Sequence, residues 1–141
     1  MFKTLIASLL MSLFSTHTSY AQQDKPDPHG AVMCVWMVYA SLERIVEECG
    51  TANRDAKFFQ TFQSNVDRME AFIFRNSEIT RAHLDKYLVG LSRENQRDLC
   101  APSSDHLRMY EIGRERGGDA LTQDIDKLLE VERPPVFNPC L

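Results

Sequence analysis

A chain of 141 residues, 43% hydrophobic and 26% charged, suits one domain with a modest core and is short for two. Its 16 basic residues are outnumbered by 20 acidic ones for a formal charge of −4, and they form no cluster. Nucleic acid and anionic lipid surfaces are therefore poor partner classes.

In chain order, Lys3, the apolar run Leu5 to Phe14 and the polar stretch ending Ser19-Tyr20-Ala21 read as a secretory signal over residues 1–21, cleaved after Ala21. The run is about half the roughly twenty residues that a bilayer span needs. No cysteine stands at the junction, so no lipid anchor and no membrane anchoring after cleavage are expected. Loss of the signal leaves 15 basic against 20 acidic residues. Two prolines and a glycine between Asp24 and Gly30 predict a loose N-terminal arm, 22–30, ahead of a single helical domain, 31–141.

Helix one is predicted over Ala31 to Cys49, with Gly50 as its C-cap. Cys34, Val38, Leu42, Ile45, Val46 and Cys49 share one stripe, and Met33, Trp36 and Met37 fall off it. Ten apolar residues in a row, Ala31 to Ala40, end at Ser41-Leu42-Glu43-Arg44, which excludes a membrane span. Two readings of the apolar half stay open: a central helix covered on several sides, or a docking face built from Met33, Trp36 and Met37.

Helix two is predicted from an Asn53 cap to about Arg75, with Phe58, Phe62, Val66, Met69, Phe72 and Ile73 at helical spacing and Phe74 off the stripe. Asn76-Ser77 breaks it. Helix three carries Ile79, Ala82, Tyr87, Leu88 and Leu91 toward Leu99-Cys100, and Ala101-Pro102 ends it. Ser103, Ser104 or Asp105 caps helix four, through Leu107, Tyr110 and Ile112 to Gly117-Gly118. Asp119 caps helix five, whose face is Leu121, Ile125, Leu128 and Leu129. The closing "RPPVFNPCL" forbids helix and predicts an extended tail. No strand signal appears, so the predicted class is all-α: a small antiparallel bundle of four to five helices with two disulfides and an extended C-terminal tail.

The cysteines, at 34, 49, 100 and 140, lack the close pairs that zinc sites use, and an even set in an exported chain reads as two disulfides. Cys34 and Cys49 would sit about 22 Å apart on one helix, beyond the roughly 7 Å that a bridge allows. Alternating helix directions place Cys49 beside Cys100. About eight extended residues of the tail, up to some 26 Å, then carry Cys140 back to Cys34.

Catalytic patterns are missing from the sequence. No mature histidine pairs with another at metal-ligand spacing, and no serine sits in a nucleophile elbow. His83 with Asp85 and Tyr87 reads as a helix-surface trio. "DIDKLLEVE", 124–132, lacks the glycine of a calcium loop. Glu43 with Glu47, and Glu111 with Arg114 and Glu115, read as exposed helix charges. No catalytic residue, metal or cofactor is expected. If the chain alternates direction, Phe74 lies at the same end as Met33, Trp36 and Met37, and these four form the candidate partner-binding patch beside Cys34.

Cys100-Ala-Pro and the terminal Asn-Pro-Cys140, about forty residues apart, resemble the small periplasmic amidase-immunity proteins of type VI secretion. The resemblance spans residues 100–141 and not the long helices one to three. It implies an exported helical protein that blocks a cell-wall-cutting toxin by occupying its active site, and it assigns no residue here. The expected function is an exported protein-binding module of the inhibitor, immunity or chaperone type, with another protein as partner. The alternative is a small helical enzyme or ligand carrier with a site between helices.

Overall fold

A computed structural model describes residues 26–89 and 96–140; the expected signal and its cleavage point lie outside the described residues. The regular elements are α1 (Val32–Glu48), a 3-10 turn (Ala52–Asp55), α2 (Ala56–Asn76), α3 (Arg81–Val89), a single helical turn (Gln96–Leu99), α4 (Asp105–Arg116) and α5 (Gly118–Leu129). Among the described residues there is no strand. The class is all-α.

Local chemistry sets the helix ends. The tail replaces a side-chain cap on α1: Met33 N donates to Val136 O at 3.1 Å. At the other end Gly50 adopts φ 65°, and its N–H reaches Glu47 O while Thr51 N–H reaches Val46 O, both at 3.0 Å. This is the glycine-ended Schellman pattern. The cap of α2 is not Asn53 but Asp55, whose Oδ1 accepts from Phe58 N at 3.0 Å. Asn53 is taken up in the 3-10 turn, which moves the start of α2 two residues on. Helix three starts at Arg81, with Ile79 ahead of it; Leu91 lies outside the described residues.

The core forms where α1 and α2 face each other, with α4 and α5 laid against them. Phe58, Phe62, Val66, Met69, Phe72 and Ile73 of α2 are all buried. Each contributes about 1.5–3 kcal/mol on the area scale. An aromatic wedge holds α4 in place: Tyr39 stacks on Phe62 with centroids 4.8 Å apart, and Tyr110 meets Phe58 and Phe62 edge-on at 5.3 and 5.4 Å.

The bridges are Cys49–Cys100 and Cys34–Cys140, each with Cα atoms 5.3 Å apart, the pairing that alternating helix directions predict. The inner bridge ties the end of α1 to the end of the turn Gln96–Leu99. The outer one ties the first turn of α1 to the tail, and Arg133 adds a polar knot beside it. That guanidinium donates to Asp27 Oδ2 and to the carbonyls of Leu128, Val131, His29 and Gly30.

The proposed docking patch is corrected here. Met33 and Trp36 are both 0% exposed, because α2 covers one side of the first turns of α1 and the tail covers another. Met37 is partly buried against the core. Phe74 reaches the surface but lies under the Arg81 guanidinium, 5.3 Å from its ring centroid. The four do not make a patch, and the first half of α1 is the central helix of the other reading.

Candidate functional site

Two groups of polar side chains stand out. The first is internal. Glu70, on a buried position of α2, accepts from Trp36 Nε1 at 3.3 Å and from Arg81 Nη1 at 2.6 Å, while Arg81 Nη2 takes its Oε2. Donating to the Glu70 carboxylate in turn holds the Arg81 guanidinium above its ordinary pKa. A carboxylate gripped in this way is a tie between α1, α2 and α3, not an available general base.

His83 is likewise occupied: its Nδ1 accepts from Thr80 N at 3.1 Å, at the start of α3. Tyr87 turns to the tail instead, edge-on to Phe137 at 5.1 Å. The trio His83, Asp85, Tyr87 is therefore not assembled into one site. Among the described residues no three His, Cys, Asp or Glu side chains gather to hold a metal ion.

The second group lies on the surface, in a cleft of about 690 Å³ between the 3-10 turn and the start of α4. Thr51 and Arg54 line one side; Pro102 and Ser103 lead into α4, which contributes Asp105, Leu107, Arg108, Glu111 and Arg114. The Cys49–Cys100 bridge stands two residues before Thr51 and two before Pro102, so it pins both sides. Arg114 Nε donates to Glu111 Oε2 at 2.7 Å. Behind them Tyr110 is buried; burial, then the charges of Asp55 and Glu111, push its phenol up to about 12. It stays a neutral packing group.

Beside the cleft, α4 turns apolar side chains outward. Met109 and Ile112 are 50% and 51% exposed, and helical geometry puts Ile112 about 40° from Arg108 around the axis. The sequence reading grouped Ile112 with the core residues Leu107 and Tyr110. The same geometry puts it about 200° from Tyr110, on the opposite side, so strict periodicity marks it as outward. Arg54, Arg108 and Met109 carry no such signal; only the fold brings them to one place.

The cleft holds no paired nucleophile and base. Thr51 Oγ1 is engaged with Val46 O at 3.3 Å. What the arrangement offers is charge and shape: guanidinium groups in a concavity next to exposed aliphatic side chains. No family model, curated protein or solved structure matches the chain.

Proposed function

We propose that the chain is an exported protein-binding module of the inhibitor or immunity type, which contacts its partner through the Arg108, Met109 and Ile112 face of α4. The observation that carries this reading is the pair of half-exposed large apolar side chains on a helix fixed from behind by an aromatic wedge. Met and Arg are enriched at interfaces, and a rigid face loses little entropy on docking. Two disulfides fit an oxidising, extracytoplasmic compartment. The described residues contain no helix long and apolar enough to cross a membrane. The signal-like residues 1–21 and the resemblance around Cys100 and Cys140 support export and the inhibitor type.

The cleft has the volume of a small-molecule site, which favours the ligand-carrier alternative, but seven of its nine lining residues are polar or charged where such pockets are mainly apolar.

The test places a photo-crosslinking amino acid at position 112 of the oxidised protein in its native compartment, with position 86 as control. A discrete adduct from 112 alone, whose purified partner binds Ile112→Glu at least about tenfold more weakly at unchanged Tm, supports the reading. Adducts common to both positions, no adduct, or unweakened binding overturn it.

A further inference from the structure

The structure describes nine arginine side chains. Seven of them, Arg44, Arg68, Arg75, Arg81, Arg114, Arg116 and Arg133, are each paired with a carboxylate of this chain. The two that form no ion pair among the described residues, Arg54 and Arg108, line the same cleft. Of the two acids in that cleft, Glu111 is held by Arg114. Asp105 belongs to the first turn of α4, where the helix dipole favours a carboxylate, and it pairs with neither arginine.

We propose that Arg54 and Arg108 form a recognition site for a carboxylate, carried by an Asp or Glu side chain within an acidic and apolar segment of the partner protein. A guanidinium presents parallel N–H donors that match a carboxylate in two-point fashion. A concave site raises its worth by excluding part of the surrounding water. Ile112 and Met109 next to the cleft take the apolar neighbour of that acid. The chain as a whole is acidic, with a formal charge of −4. An acidic segment is therefore repelled elsewhere and admitted here, which fixes its register as well as its affinity. The site rests on the docking reading of α4 and names the chemistry of the partner.

The experiment uses the oxidised protein, residues 22–141, with 15N-labelled arginine, titrated with the capped peptide Ac-Glu-Leu-Glu-NH2 to roughly 10 mM. The expected result is a saturable shift of the Nε–Hε signals of Arg54 and Arg108, with those of Arg75 and Arg133 unmoved. Ac-Gln-Leu-Gln-NH2 leaves all four in place. R54Q and R108Q each weaken binding about tenfold at unchanged Tm, and R108K weakens it too, since an ammonium cannot bind in two-point fashion. Equal shifts with inorganic phosphate at the same concentration would mean an unselective anion site and overturn the assignment, as would no shift, or a shift that survives R54Q and R108Q. The two proposals fail separately. If the peptide does not bind but Ile112→Glu still loses the partner, the carboxylate site falls and the docking face stands; peptide binding with partner binding indifferent to Ile112→Glu gives the reverse.

Discussion

Trp36 of α1 donates its indole N–H to Glu70 of α2 at 3.3 Å, across 34 residues of chain. The only tryptophan is therefore a core wedge with a satisfied polar end, which is how a buried indole is tolerated. Trp36→Phe keeps most of the apolar volume and leaves Arg81 on the carboxylate, so it costs about 1–2 kcal/mol. Trp36→Ala costs about 3–5 kcal/mol. Urea titration with the disulfides intact measures both, and native fluorescence resistant to iodide quenching is expected. A Trp36→Ala protein as stable as the parent would place the indole outside the core.

Arg133 is the next point of fragility. Its side chain and that of Asp27 are 11% and 9% exposed, and two chain segments, 27–30 and 128–131, meet on its donors. Arg133→Met strands a nearly buried carboxylate together with several carbonyls, and a loss of about 3–5 kcal/mol follows. Asp27→Asn costs less, because the amide oxygen still accepts. A double-mutant cycle measured by urea unfolding gives the coupling. Additive effects would show that the two act independently.

The same pair contributes to the acid sensitivity of the fold. Burial raises the Asp27 carboxyl, but the Arg133 hydrogen bond, the His29 N–H and the Arg133 charge outweigh it and hold the pKa below its ordinary value. A lowered native pKa means that the stabilisation is complete above the unfolded value, about 4, and is lost as pH falls through the native one. Thermal melts of the parent should fall steeply below about pH 4, and those of Asp27→Asn less so. Parallel curves would refute the linkage.

Glu43 has the opposite sign. Burial, then the charges of Glu47, Asp67 and Glu70, raise it from 4.5 to about 7. The Gln63 amide, which hydrogen-bonds Glu47 at 3.2 Å, opposes them. Between those two pH values the native state keeps a proton that the unfolded chain has released, so stability falls as pH rises. Glu43→Gln removes the penalty. Its Tm should match the parent near pH 4 and exceed it near pH 8, and a variant equally stabilised at both would exclude this cause.

The Cys49–Cys100 bridge joins the two sides of the arginine cleft. Replacing both cysteines by alanine frees a loop with a sequence separation of 51, worth about 4 kcal/mol in the chain-entropy account. The double variant should unfold at lower urea and lose the peptide-induced shifts of Arg54 and Arg108 under conditions where its helical circular dichroism is intact. Retained shifts would show that the cleft does not depend on the bridge.

Helix positions and cysteine partners were legible in the sequence because both follow from local rules. Gly50 marks the end of α1, the prolines after Arg133 forbid a further helix, and a helix cannot bridge its own two ends. Trp36 was not placed, since periodicity assigns a helix one buried stripe and cannot count how many neighbours wrap it. Here α2 and the tail cover different sides of α1, so residues off the stripe are buried too. Arg54 and Arg108 were illegible for another reason: an exposed arginine looks the same whether or not a carboxylate reaches it, and only folding showed which two of the described arginine side chains were left over. The Asp55 cap was missed by two residues, because a 3-10 turn ahead of a helix has no sequence signal distinct from the helix itself.

The inner bridge is nested inside the outer one, Cys49–Cys100 within Cys34–Cys140. A protease that severs any one of the 106 peptide bonds enclosed by the outer pair leaves two pieces still covalently joined, and between Cys49 and Cys100 they are joined twice. A nicked molecule therefore sheds no fragment until a reductant is present, and a face on α4 outlasts a cut made elsewhere in the ring.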